Sequence, residues 1–386
     1  LNEFATGTID GTLSIYKDKR ATPKWKSTNL GTISALAFGN ICKSHNSDLI
    51  VLTSEGWIYL FKYYNNMPLF SNKQGCESTC IDLHYFKKQL LLPNARMAIV
   101  CDTNGDGDNE LIVSYADRRV RVFRYVEHES ESDKVNKSGK FVTIAHWTLD
   151  GQIGTISINL GEHGKKQLIA SQPGATFIDL NLAATSEQST DFVDIFYNPA
   201  ASVTARFSTS AFTEIIGSLT PIRGSIGTNI CIGTTDGLLI LMNQNNIIWT
   251  EHLESRLIAI DKLDLNGDNV DEILACCENG TLYIINSQKE ICQFRFNDRV
   301  ANFCSGQYGI DGQNKQALVF FTFRHKIVMF NDMDIGSPQI EDLISKLHEN
   351  GNKDILKGVL ELIDGEATRS KIAEVISRLL YFTKSN

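Results

Sequence analysis

The chain has 386 residues, too many for one ordinary compact core but a fitting length for a closed repeat with an appendage. Its hydrophobic fraction of 42% excludes wholesale disorder, and no apolar run reaches the roughly 18–20 residues that span a bilayer. Acidic residues outnumber basic ones by 45 to 37, and no basic stripe offers itself to nucleic acid.

In chain order, one pattern recurs. A turn pair, often ending in glycine, opens each of DGTLSIYK (10–17), EGWIYLFK (55–62), DRRVRVFR (117–124), PGATFIDL (173–180), DGLLILMN (236–243), NGTLYIIN (279–286) and RHKIVMFN (324–331). Asp-Gly and Asn-Gly between apolar strands mark hairpins, because both turn residues tolerate positive φ. Another apolar strand precedes most of these turns, as in DLIVLTS, ELIVSYA and EILACCE, and a third precedes that, as in ARMAIVCD and RLIAIDKLD. The unit is three strands with a looser fourth. Seven such units predict an all-β fold, a seven-bladed β-propeller over residues 1–332. The first blade is expected to be truncated: nothing supplies an inner strand ahead of FATGTIDG. Position 1 is leucine, so the chain is expected to be a piece of a longer protein that carries this strand upstream.

After Asp332 the period changes. SPQIEDLISKLHE starts on Ser337 and Pro338 and places Ile340, Leu343, Ile344 and Leu347 at helical spacing, and Ile372, Ile376, Leu379 and Leu380 repeat it. Residues 337–386 are expected to be a short helical segment, either a lid on the propeller or a partner-binding element.

Two loops carry concentrated oxygen donors. DTNGDGDNE (102–110) lies between two strands, not two helices, and Val113 stands where an EF-hand has its bidentate Glu. In this D-x-N-x-D-G-x-x-E loop the side chains of Asp102, Asn104 and Asp106, the carbonyl of Asp108 and the carboxylate of Glu110 could surround a structural Ca²⁺. A weaker copy, DLNGDNVDE, keeps Asp264, Asn266, Asp268 and Glu272 but has Asn269 in place of the turn glycine. The alternative is that these loops pin a turn by accepting backbone N–H bonds, with or without a metal. No cofactor is required, and a cation closed in by protein oxygens would be structural, not catalytic. The corresponding loops from Asn40, Asn159 and Gln307 are too poor in carboxylates for Ca²⁺.

Nine cysteines are an odd number, and Cys101, Cys231, Cys276 and Cys277 lie inside apolar runs, which suits buried thiols and a cytoplasmic protein better than a disulfide framework. Cys76, Cys80 and His84 fit no strong zinc spacing. No P-loop, GxSxG or HExxH motif is present, the histidines are scattered, and the chain is expected not to be an enzyme.

Six segments carry a resemblance: SEGWIYLF, GDGDNELIVSYADRRVRVFR, LIASQPG, DKLDLNGDNVDEILACCENGTLYII, VANFCSGQY and FTFRHKIVMF. The acidic loops resemble the FG-GAP repeats of integrin alpha chains, and the chain as a whole is similar to the integrin-alpha FG-GAP repeat-containing protein 2 family. The region from Ala183 to Leu219 matches poorly. The resemblance implies a subunit of the KICSTOR complex that pairs with a kaptin propeller, beside a large scaffold subunit and a fourth subunit. It implies that this assembly holds the GATOR GTPase-activating complex at the lysosomal membrane and restrains the TOR kinase when amino acids or glucose run short. The competing reading is an extracellular, calcium-stabilised FG-GAP propeller for adhesion or carbohydrate binding. Loops after first and third strands should share one face of the disc. The long insertions there, Tyr63 to Thr79, HESESDK from His128 and Ala183 to Thr190, are candidate docking surfaces.

Overall fold

In a computed structural model the seven repeats form a seven-bladed β-propeller. The residues described are 2–42, 47–64, 67–68, 81–127, 139–161, 164–180, 182, 195–199, 210–220, 227–331 and 333. The chain divides into two compact units, Leu1–Met333 and Asp334–Asn386. The helices expected over 337–386 lie outside the described residues, as do Cys76, Cys80, HESESDK, Ala183 to Thr190 and most of the insertion after Tyr63.

Blade 1 contains β1 (Phe4–Gly7), β2 (Leu13–Tyr16) and β3 (Trp25–Ser27), and blade 2 contains β4 (Ile33–Gly39), β5 (Asp48–Thr53) and β6 (Trp57–Phe61). A small hairpin of β7 (Tyr63–Tyr64) and β8 (Met67–Pro68) follows, then β9 (Ile81–Asp82), which joins blade 1, and β10 (Lys87–Leu90), which completes blade 2. Blade 3 is β11 (Ala95–Cys101), β12 (Glu110–Tyr115), β13 (Arg119–Glu127) and β14 (Gly139–Thr148). Blade 4 is β15 (Ile156–Leu160), β16 (Lys166–Gln172), β17 (Thr176–Leu180) and β18 (Ile195–Tyr197). Blade 5 is β19 (Thr213–Leu219), β20 (Asn229–Thr234), β21 (Leu238–Asn243) and β22 (Asn246–His252). Blade 6 is β23 (Leu257–Leu263), β24 (Glu272–Cys277), β25 (Thr281–Ile285) and β26 (Ile291–Arg295). Blade 7 is β27 (Val300–Ile310), β28 (Gln313–Thr322) and β29 (Ile327–Asn331), with no fourth strand among the described residues.

The hairpin β1–β2 turns at Asp10-Gly11, as β5–β6 turns at Glu55-Gly56, so β1 occupies the second position of its blade and the first position has no strand among the described residues. An unforeseen feature is β9. It runs parallel to β3, pairing Trp25 with Ile81 and Lys26 with Asp82, and is drawn from the connection between the third and fourth strands of blade 2. The Leu83 N–H continues the pairing to the Lys26 carbonyl at 2.7 Å, and its buried side chain joins the Trp25 cluster.

Second strands are apolar or small almost throughout because neighbouring blades cover both faces: every residue of β5, β12, β20 and β24 is buried. Outer strands alternate, as in β26, whose residues are exposed at every second place. The cores therefore lie between blades. Leu111, Val113 and Phe123 of blade 3 meet Ile50, Leu52 and Leu60 of blade 2, and Leu219, Cys231 and Leu239 of blade 5 meet Leu257, Ile260 and Ile273 of blade 6. Between blades 7 and 1 the cluster is small, Tyr308, Ile310 and Ala317 against Phe4 and Met329. Polar contacts assist closure there: Gly309 N–H to the Asn2 carbonyl (3.0 Å), Asn2 N–H to Asn314 Oδ1 (2.8 Å) and Tyr308 O–H to the Asp18 carbonyl (2.7 Å).

First strands bond to the next blade through side chains. Ile215 N–H donates to Thr155 Oγ1 (2.7 Å), Gly217 N–H to Ser157 Oγ (3.0 Å), Ile260 N–H to Glu214 Oε2 (2.7 Å) and Ser305 N–H to Asp261 Oδ2 (2.7 Å). Burial raises the Glu214 carboxyl, the Ile260 N–H opposes it and the Asp261 charge adds to it, leaving a pKa of about 7. A carboxyl held above its ordinary value contributes stability that is present below about pH 4.5 and is lost as pH rises through about 7. Glu214→Gln keeps an acceptor but carries no charge. Between about pH 5 and about pH 7.5 the wild type is expected to lose on the order of 1–2 kcal/mol relative to this variant, read by urea unfolding; equal pH profiles would refute the assignment.

Candidate functional site: the acidic loops

The turn after β11 is closed by its own side chains. Asp102 Oδ1 accepts the Gly105 N–H (2.7 Å) and Oδ2 the Gly107 N–H (3.2 Å), Asn104 Oδ1 accepts the Asp106 N–H (3.0 Å), and Asp106 Oδ1 accepts the Asp108 N–H (2.8 Å). Gly105 and Gly107 have φ of 80° and 88°, the left-handed geometry that lets successive N–H groups point inward. Burial disfavours the Asp102 carboxylate, but the Gly105 and Gly107 N–H groups and Lys166 outweigh it and hold its pKa below the ordinary value. Lys166 also donates to the Asp102 carbonyl at 2.6 Å, tying blade 4 to this loop.

Glu110 is fully buried at the start of β12. Its Oε2 accepts both the N–H and the hydroxyl of Thr103 at 2.9 Å, and its Oε1 accepts Arg124 Nη2 at 2.7 Å and Nε at 3.1 Å. Arg124 Nη2 also reaches Asp106 Oδ2 at 3.1 Å, and the Asn104 amide donates to that same oxygen at 2.8 Å.

The second loop repeats the design without the cation. Asp264 accepts the N–H groups of Gly267 (2.7 Å) and Asn269 (2.9 Å), and Asn269 takes φ of 63°, so asparagine does stand in for glycine. Asn266 Oδ1 accepts the Asp268 N–H at 2.9 Å, and Asp268 Oδ1 accepts the Val270 N–H at 2.8 Å. Glu272 Oε2 accepts the Leu265 N–H (2.9 Å) and Oε1 the Asn266 amide (3.1 Å). Burial raises the Glu272 pKa, the Leu265 N–H opposes this, and the Asp268 and Asp264 charges add to the rise.

The structure thus brings Asp102, Asn104 and Asp106, and likewise Asp264, Asn266 and Asp268, together within their loops, while Glu110 and Glu272 turn inward as buried caps. In the first loop an Arg124 guanidinium already neutralises Asp106 and Glu110, two of the five residues a Ca²⁺ would need. Among the described residues no three His, Cys, Asp or Glu side chains gather so as to hold a metal. Within the loop Asp102, Asn104 and Asp106 form a self-capped turn.

The cap recurs in blades 2, 3, 5 and 6. The first residue of the second strand is Asp48 in β5, Glu110 in β12, Asn229 in β20 and Glu272 in β24, all buried. Asp48 Oδ2 accepts the N–H groups of Ile41 (3.3 Å) and Cys42 (3.1 Å), and Asn229 donates to the Thr220 carbonyl at 3.2 Å. Fourteen residues on, a third-strand side chain meets the cap: Arg124 with Glu110, and Asn243 with Asn229 at 2.9 Å. In these two blades that interval is a signal in the sequence.

The seven described cysteines are free, and Cys231, Cys276 and Cys277 are wholly buried. Burial pushes the Cys231 and Cys277 thiols up to about 12, which makes them packing groups rather than nucleophiles. Among the described residues no helix is long and apolar enough to cross a membrane.

Seven blades whose first turns include two D-x-N-x-D loops define a β-propeller of FG-GAP type. The family described as integrin-alpha FG-GAP repeat-containing protein 2 matches residues 17–335, and the chain belongs to it. It is 28% identical over 368 residues to a protein of Mus musculus named KICSTOR complex protein ITFG2, covering 90% of this chain and 82% of that one. A Bos taurus protein of the same name is 26% identical over 370 residues, covering 90% of this chain and 68% of that one. Among solved structures, BBS1N, crystallised in complex with ARL6DN and soaked with mercury, superposes with a TM-score of 0.58 at 12% identity, covering 87% of this chain and 89% of that chain. Chaetomium thermophilum Raptor superposes with a TM-score of 0.54 at 9% identity, covering 87% of this chain and 27% of that chain. Both structural likenesses concern the fold alone.

Proposed function

We propose that the protein is a non-catalytic scaffold subunit of a KICSTOR complex. The observation that carries this reading is the match, across 90% of the chain, to two proteins named as KICSTOR complex proteins. The finer reading is that the propeller pairs with a kaptin-like propeller and, with a large scaffold subunit and a fourth subunit, helps hold the GATOR GTPase-activating complex at the lysosomal membrane. It would thereby restrain TOR kinase signalling in amino-acid or glucose shortage. A set of buried free thiols supports this reading over an extracellular adhesion or carbohydrate-binding propeller, in which cysteines would be paired. Affinity purification of the tagged full chain followed by mass spectrometry is the test. Recovery of a kaptin-like propeller together with a large scaffold subunit is expected, and their absence from the eluate would overturn the assignment.

A further inference from the structure

The first strands of blades 2, 3, 4 and 7 read ISALAFG, ARMAIVC, ISINL and VANFCSGQYGI and hold no acidic side chain. Blades 5 and 6 each hold one, Glu214 in β19 and Asp261 in β23, and both are partly buried. Register shows how these places are filled elsewhere. Glu214 pairs with the next-to-last residue of its second strand, where Ala35, Met97 and Ala259 stand in blades 2, 3 and 6. Asp261 pairs with the third residue of its second strand, where Ala37, Ile99 and Ile216 stand in blades 2, 3 and 5.

Each acid reaches the next blade. Glu214 Oε2 accepts the Ile260 N–H at 2.7 Å, and one residue further along β23 Asp261 Oδ2 accepts the Ser305 N–H of β27 at 2.7 Å. Strand β23 is thus gripped by a carboxyl of blade 5 and grips blade 7 with its own. The groups around the pair do little to offset its charge. Lys262 eases Asp261, but its Nζ is drawn off to the Ser218 carbonyl (2.5 Å) and to Asp271 (3.2 Å). Strand β15 brings the uncharged Thr155 and Ser157 to β19, β20 and β24 set Gly233 and Leu274 opposite the acids, and β27 adds Cys304, a thiol held protonated by burial and by Asp261. Burial raises Asp261 against the pull of the Ser305 and Lys262 N–H groups, and the charge acting on Glu214 is that of Asp261. An ionised Glu214 is therefore short of water and has a like charge across one strand. It regains hydration by admitting water between β19 and β23, whereas the neutral acid keeps the Ile260 bond without that cost.

We propose that the junction between the first strands of blades 5 and 6 is a proton-operated latch, shut while Glu214 is neutral and loosened when it ionises beside Asp261. The junction between blades 4 and 5 is made with hydroxyls, Thr155 and Ser157 accepting the Ile215 and Gly217 N–H groups, and carries no such dependence. Because the Glu214 carboxyl is held at about 7, above its ordinary value, the closed state is favoured below neutrality and lost as pH rises through it. The opening is local to β23, not an unfolding of the ring.

The test is hydrogen exchange read by mass spectrometry on the full chain at about pH 6 and about pH 8, with labelling times scaled to the intrinsic exchange rate. One proton with a midpoint near 7 gives about a tenfold loss of protection over that interval in the peptide spanning Leu257–Leu263. Peptides from β12 and β16, in blades 3 and 4, should keep theirs. Glu214→Gln, which retains an acceptor for the Ile260 N–H, should show the same β23 protection at both pH values. Asp261→Asn retains an acceptor for the Ser305 N–H but not the charge, and should move the change to lower pH. Wild-type β23 protection that is equal at the two pH values, an undiminished dependence in Glu214→Gln, or an equal loss in the β12 and β16 peptides would each overturn the latch. If Glu214→Gln fails to fold, Asp261→Asn decides: a change that stays at the wild-type pH refutes the proposal.

Discussion

Glu110→Ala is expected to lower the unfolding free energy by about 3–5 kcal/mol, measured by urea unfolding of the full chain. The carboxylate is fully buried, and its removal leaves the Thr103 N–H and hydroxyl and the Arg124 guanidinium without their shared acceptor. Glu272→Ala should cost less, about 1–3 kcal/mol, because the second loop has no guanidinium to strand. The same preparations decide the question of an ion. If the loops are self-capped, Tm in excess Ca²⁺ and in EDTA will coincide; a rise with Ca²⁺ that disappears in Asp102→Asn would establish a metal site instead.

Phe320→Ala should be comparably damaging, about 3–5 kcal/mol, with a clear fall in Tm by calorimetry. This fully buried ring stacks on Phe296 at 4.9 Å between centroids and meets Phe303 at 5.1 Å and Phe330 edge-on at 5.8 Å. It therefore joins blade 6 to all three strands of blade 7. Phe320→Leu, which keeps most of the volume, should recover over half of the loss. If alanine cost under about 1 kcal/mol, the blade 6–blade 7 junction would have to draw its cohesion from elsewhere.

The hairpins were legible because each rests on short-range chemistry. Asp10-Gly11, Asp236-Gly237 and Asn279-Gly280 each place glycine at positive φ between apolar strands, and His325 does the same at 58° in the least typical turn. That no strand precedes β1 in blade 1 among the described residues could be read from the same turn. Ile81–Asp82 could not: a two-residue parallel strand has no period of its own, and only the proximity of blade 1 to a connection of blade 2 creates it. Blade 5 was obscured by the weak match from Ala183 to Leu219, yet β19 shows an alternating burial that local patterning does contain. The acidic loops were half legible. Oxygen spacing foretold Asp102, Asn104 and Asp106 converging within one turn, but the pairing of Glu110 with Arg124 joins two strands and forms only where β13 lies beside β12.

The parallel strand β9 also bears on how the chain comes to be built. As residues emerge in order during synthesis, β1 to β3 can pair as soon as they appear, but the outer edge of blade 1 stays bare until β6 has been made and the chain has returned to Ile81. The first blade therefore cannot mature as an independent unit. It must wait for the second, and the two are expected to be captured together, with β9 as the clasp.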